Sequence, residues 1–239
     1  RMHEPGPGRI AARQHPANKA DIMISSSKAI GNDTEKVKRS DIRILLVNPA
    51  ITLDGFNSYD EGLINHGLYS IATCVKEAGY DLILHDLRSF KGWTDFNNEI
   101  IKIKPHLVAT GAMSVDFENA CNIFKLAKKI DKRIITVIGG IHVSIRPGDA
   151  LKANNIDYIV TGEGEISFIK LIDDLFINNK TNERLIVGEK PDLNALPFID
   201  REFLPYKEQF HPIWNGTPPW MTIIVGRGCT FRCKFCQPA

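Results

Sequence analysis

The chain has 239 residues, 43% of them hydrophobic and 24% charged, with 30 Lys and Arg against 28 Asp and Glu. That balance excludes collagen, wholesale disorder and a membrane bundle, and no run reaches the roughly 18 consecutive apolar residues of a spanning helix. Five cysteines are an odd count, and the N-terminus has no apolar signal core. No disulfide framework is therefore read, and a reducing cytoplasm is the expected location.

Residues 1–40 open with the Pro/Gly-rich EPGPG and continue polar, with little apolar periodicity, so a disordered tail is expected there. They hold eight basic and four acidic residues, leaving 22 basic and 24 acidic in the remainder. The basic excess thus belongs to the tail. No basic face and no nucleic-acid partner are implied for the folded part. A first residue of Arg reads as a fragment or an over-extended frame, with Met23 as a candidate start.

From 41 to 180 short β-branched runs alternate with helical patterns. The strands are expected at 42–48, 82–87, 106–112, 133–140 and 157–163, and the helices near 66–78, 95–103, 117–130, 147–153 and 164–178. In the third helix Phe117, Ala120, Cys121, Phe124 and Ala127 follow the spacing of one apolar face. Five strands and five helices in alternation predict an α/β fold: a doubly wound, flavodoxin-like, five-stranded parallel sheet covered on both faces.

Ligands of such sheets bind beyond the carboxyl ends of the strands, where strand order reverses. Those ends are small and polar here: Asn48-Pro49-Ala50, Gly111-Ala112-Met113-Ser114, Gly139-Gly140-Ile141-His142 and Thr161-Gly162-Glu163-Gly164-Glu165. Tight βα turns explain them in part, but three glycine-rich ends on one rim also suit a sizeable ligand. The Gly162–Ser167 stretch follows the fifth strand and lacks the third glycine of a dinucleotide fingerprint, and no Walker-type loop occurs. Glu163 and Glu165 at a helix start are accounted for by the helix dipole alone. Asp173 and Asp174 read as a solvated face, and Cys74 and Cys121 as small core residues.

Residues 181–216 are read as a linker, its prolines and Trp214 pinned across a domain boundary. A strand-like MTIIV (221–225) then leads into Gly226-Arg227-Gly228-Cys229-Thr230-Phe231-Arg232-Cys233-Lys234-Phe235-Cys236. Three thiolates within eight residues converge on one metal centre only if the loop wraps around it. Structural zinc wants four ligands, and three are present. Three cysteines on a [4Fe–4S] cubane leave one iron open to an exogenous ligand. On spacing alone, both metals stay in play.

CTFRCKFC resembles the CxxxCxxC cluster motif of the radical S-adenosylmethionine (SAM) enzymes, down to the aromatic Phe235 before the third cysteine. The resemblance implies that Cys229, Cys233 and Cys236 ligate a [4Fe–4S] cluster, that its open iron binds SAM, and that Phe235 shapes the adenine side of the pocket. It further implies reductive cleavage of SAM to a 5′-deoxyadenosyl radical. The order LLVNPA…HGLYSIATCVKEAGYDL…PHLVATGAMS…IGGIHVS…DYIVTGEGE resembles the cobalamin-binding domain that precedes the barrel in one subfamily of these enzymes. By that likeness Asn48, Gly111, Ala112, Met113, Ser114, Gly139, Gly140, Gly162 and Glu163 hold cobalamin.

One departure is visible: His66 follows Ile64 and Asn65, so the DxHxxG motif that supplies a histidine to cobalt is missing. The lower face of cobalt is then expected to lack histidine, with His85 and His142 serving packing or hydrogen bonding instead.

The expected organisation is a tail (1–40), a cobalamin-binding domain (41–180), a linker (181–216) and the truncated start of a radical SAM domain (217–239). The expected activity is methyl transfer to an unactivated carbon of a small or lipid-like substrate, with a reducing donor such as flavodoxin or ferredoxin. The alternatives are a cobalamin-binding module without catalysis, or a radical SAM protein whose α/β domain is a scaffold holding no corrin.

Overall fold

The computed structural model describes residues 37–49, 56, 64–180, 182–203, 223–231 and 233–234. Its strands are β1 (Arg43–Asn48), β2 (Asp81–Asp86), β3 (Leu107–Gly111), β4 (Ile135–Gly139), β5 (Tyr158–Thr161) and β6 (Leu185–Val187). Its helices are α1 (His66–Glu77), α2 (Trp93–Ile103), α3 (Phe117–Ile130), α4 (Ile141–Ile145), α5 (Pro147–Leu151) and α6 (Glu165–Ile172). A π turn over Asp173–Ile177 continues α6.

All six strands are parallel, in the order β2-β1-β3-β4-β5-β6. The doubly wound α/β fold is thus the one expected, with a sixth strand added at the β5 edge. Order reverses between β1 and β3, which opens a crevice at their carboxyl ends. Alternation along β1 divides the core: Leu45 and Val47 meet α2 through α5 through Phe96, Ile100, Phe124 and Val143, whereas Ile44 and Leu46 meet α1 and α6 through Leu68, Ala72, Phe168 and Leu171. Burial on both faces is what a central parallel strand requires.

Four expectations are corrected. Residues 37–41 belong with the ordered unit: Arg39 lies in a 3₁₀ turn and donates to both oxygens of Asp173 and to the Ala78 carbonyl. Asp173 also accepts from Tyr80, and Asp174 is buried, so this acidic pair is no solvated face. The stretch read as linker supplies β6 and then folds back on α1, where the Asp200 amide donates to Thr73 and Lys76 pairs with Asp200 and Glu202. Finally, Ile223–Val225 form no strand and are exposed. A strand exists only as part of a ladder, and this segment has no ladder partner among the described residues. Residues 1–36, Trp214, Trp220, Phe235 and Cys236 lie outside the described residues.

Candidate functional site

A cavity of about 490 Å³ opens at the carboxyl ends of β1, β3, β4 and β5. Leu46, Ala109, Val137 and Val160 from the sheet form its floor, and Leu68 and Ile71 of α1 with Phe168 of α6 form an apolar wall. Its rim is the set of short turns after β3, β4 and β5. Ile224, Gly226, Arg227 and Gly228 from the C-terminal segment close a further side.

The rim is small because the backbones approach closely. The Ala112 amide donates to the Gly139 carbonyl and the His142 amide to the Ala112 carbonyl, stitching the β3 and β4 turns together. Gly140 sits at φ +93°, and a Cβ there would lie 2.6 Å from the Ala112 nitrogen and 2.8 Å from its oxygen. Glycine is required at this position on both counts. The β5 turn is held from behind by β6: the Gly188 amide donates to Thr161, and the Glu189 amide to the Ser167 hydroxyl. A Cβ on Gly188 would fall inside the envelope of the Thr161 and Glu163 carbonyl oxygens.

Of the residues expected to hold cobalamin, Gly111, Ala112, Met113, Gly139, Gly140, Gly162 and Glu163 line this cavity. Asn48 and Ser114 do not. Asn48 is buried and donates to Asp86 at 2.7 Å while accepting from Asn65, which also caps α1 through the Leu68 amide. Asp86 is fixed in turn by Arg88, so this buried network buttresses the end of β1. Ser114 is 3.0 Å from Nδ1 of His142, whose ring stacks at 4.2 Å on Phe117. His85 lies beside Glu99, with Phe90 edge-on to its ring, and burial pushes its pKa down despite the carboxylate. The lining contains no histidine among the described residues. Cys74 and Cys121 are half-buried thiols pushed upward by burial, Cys74 to about 11.

Glu165 was passed over as a helix-dipole residue, yet it is the electrostatic centre of the site. It is buried, accepts from Ser70 at 2.8 Å and pairs with Arg227 at 2.7 Å. The second arm of the Arg227 guanidinium reaches Glu163 at 2.5 Å. Burial pushes the Glu165 carboxyl up, but the bonds from Arg227 and Ser70 outweigh it and hold the pKa below its ordinary value. No local pattern could have revealed this pair, because its members stand 62 residues apart.

Cys229 and Cys233 are exposed on the loop that follows, and the Cys229 sulfur accepts from the Phe231 amide. Their donor chemistry suits an iron–sulfur cluster, while Cys236 lies outside the described residues. An apolar slot with a glycine rim likewise suits a bulky flat cofactor: a Cβ at Gly111 would meet nothing within 4 Å. No helix among the described residues is long and apolar enough to cross a membrane.

The family model of the B12 binding domain matches residues 56–172. The chain is similar to an uncharacterized methyltransferase of Pyrococcus horikoshii, 28% identical over 72% of this chain and 40% of that protein. A bacteriochlorophyllide d C-8(2)-methyltransferase of Chlorobaculum tepidum is 33% identical over 49% of this chain and 25% of its own length. The cobalamin-dependent radical SAM methyltransferase TokK of Streptomyces tokunonensis is 23% identical over 56% of this chain and 22% of its own. The chain spans less than half the length of each of these relatives. The similarity is thus to a B12 binding domain over residues 56–172 and, over part of the chain, to methyltransferases.

Proposed function

We propose that the α/β unit holds cobalamin in the cavity at the carboxyl ends of β1, β3, β4 and β5, and that the protein works as a cobalamin-dependent radical SAM enzyme transferring a methyl group to an unactivated carbon. One observation carries this reading. Apart from Leu46 and the C-terminal segment, the residues lining the cavity fall within the stretch that matches the B12-binding family, and Gly226–Gly228 line it directly ahead of Cys229.

When bound, the corrinoid supplies a transferable methyl group, and a cluster-bound SAM supplies the radical that activates the acceptor carbon. The chain's own residues do the rest. Leu46, Ala109, Val137, Val160 and Phe168 exclude water from the buried part of the cofactor, where apolar contact is worth about 25 cal/mol per Å² removed from water. The turns at Gly111–Met113 and Gly139–Gly140 let backbone lie against the cofactor where side chains would intrude. Among the described residues the lining holds no histidine, and the chain has no DxHxxG motif, so cobalamin bound there would be held by the apolar floor and the turn backbone of these described residues. Cys229, Cys233 and Cys236 are assigned as the cluster ligands.

Anaerobic reconstitution with iron, sulfide and hydroxocobalamin, followed by desalting, tests both assignments. Stoichiometric cobalt and a broad iron–sulfur absorbance are expected. Replacing all three cysteines with Ala removes that absorbance and spares the cobalt. A chain that retains no corrinoid refutes the cavity assignment, and a cluster that survives the triple substitution refutes the ligands.

A further inference from the structure

The α/β unit contains a carboxylate that it does not itself neutralise. The Glu165 side chain is 3% exposed. Its side-chain bonds among the described residues come from the Ser70 hydroxyl and from Arg227, and Arg227 belongs to the C-terminal segment. A buried carboxylate without a cationic partner is strongly unfavourable, so its position fixes where a cation must arrive. Arg227 meets that need with one arm and uses the other to hold Glu163. Such a fork between two carboxylates suits a planar guanidinium, whereas a single ammonium cannot reproduce its two directions.

The contact has a particular place. Glu163 and Glu165 both line the cavity, Glu165 as the first residue of α6, and Ile224, Gly226, Arg227 and Gly228 line it from the other side. Cys229 stands two residues beyond Arg227. We infer that Arg227 is a positioning residue: its fork onto Glu163 and Glu165 fastens the Ile224–Gly228 segment as a wall of the cofactor cavity and thereby sets the cysteine loop over that cavity. The inference rests on the cobalamin reading for the identity of the cofactor, but the fastening itself does not.

Among the described residues, the side-chain bonds that tie the segment to the α/β unit come from Arg227, which reaches Glu163, Glu165 and the Ser70 hydroxyl. Ile223, Ile224 and Val225 are 64%, 56% and 92% exposed, so apolar burial contributes little there. Removing the fork should therefore release the segment while leaving the sheet intact.

The test uses two substitutions on opposite sides of the contact, Arg227→Met and Glu165→Gln, with Arg227→Lys as the conservative variant. Amide hydrogen exchange is measured on the chain without cofactors, and release of bound hydroxocobalamin is followed after loading. Because a charge-assisted hydrogen bond is among the stronger ones, exchange over 224–231 and cofactor release should each rise about tenfold or more in R227M and E165Q. R227K should fall between these variants and the unsubstituted chain. Protection of β1, β3 and β4 should stay unchanged in R227M, whose altered residue lies outside the sheet.

Unchanged exchange over 224–231 in R227M and E165Q overturns the fastening. Raised exchange with unchanged cofactor release overturns the segment's role as a wall of the cavity. If the unsubstituted chain retains no hydroxocobalamin, the cobalamin reading fails, and exchange alone still decides whether Arg227 holds the segment.

Discussion

At the amino ends of the strands, side chains close onto backbone. Arg184 donates to the carbonyls of Ala150, Leu151, Ala153 and Ile156, and Lys128 reaches Ile134 and Asp157. Asp157 in turn accepts from the amide and hydroxyl of Thr136, while the Arg43 amide donates to His106 and its guanidinium pairs with Asp81. At the carboxyl ends of β3, β4 and β5 these clamps give way to glycine turns around an open cavity, and the charged groups lining that cavity, among the described residues, are those of the fork between Arg227, Glu163 and Glu165. One sheet thus separates two tasks: long side chains tie the helix ends and loops together at one end, so that the other can leave space for a ligand. Substitutions at the two ends should therefore separate stability from binding.

The largest effect is expected at Gly140→Ala. The new Cβ meets the Ala112 backbone, which cannot move without breaking its bonds to Gly139 and His142, and φ +93° is strained for any L side chain. Left-handed strain of about 1–2 kcal/mol and overpacking of about 1–3 kcal/mol together lower stability by about 2–5 kcal/mol. Urea unfolding should show that loss, and desalting after loading should show that the cobalamin is gone. A G140A chain that binds cobalamin normally would break the claim that the rim depends on close backbone approach.

Arg184→Met should act at the other end alone. It removes charge-assisted bonds to several carbonyls, some of which water can take over, for a loss of about 2 kcal/mol in urea unfolding. Cobalamin affinity at temperatures where the chain stays folded should not change. A parallel loss of affinity would mean that the two ends are not independent.

The same contrast explains what could be read from the chain before folding. β1 to β5 were legible because β-branched runs bounded by turns are a local signal, and the carboxyl-end glycines marked the rim because their reason is also local. β6 was missed because Leu185–Val187 is too short to show a period, and its pairing with Ile159–Thr161 is set by the edge that β5 offers. α4 was missed because Ile141–Ile145 is a single turn begun directly after Gly140. Asn48 and Ser114 look like rim residues in sequence, yet each is bound by a partner from another element, Asp86 and His142. Glu165 was misread for the same reason: a carboxylate at a helix start has a sufficient local explanation, and only the folded chain brings Arg227 to it.

The smallest expected effect is a pH dependence confined to that contact. Glu165 has a folded-state pKa held below its ordinary value of 4.5, because the bonds from Arg227 and Ser70 outweigh the cost of burial. A group whose folded pKa is depressed contributes stability that is fully present above the unfolded value and is lost as pH falls through the folded one. Hydrogen exchange over 224–231 should therefore be insensitive to Glu165 between pH 6 and 8, after correction for intrinsic rates. Protection should decline below about pH 4.5 as protonation weakens the bond to Arg227. Glu165→Gln should remove that decline, since an amide does not titrate, and should leave the low-pH and neutral protection alike. The amino end gives the control: protection of β4 beside Asp157 should not follow the Glu165 substitution at any pH. If it did, the fork at the cavity and the clamps beneath the sheet would be one cooperative unit, and the division between the two ends would fail.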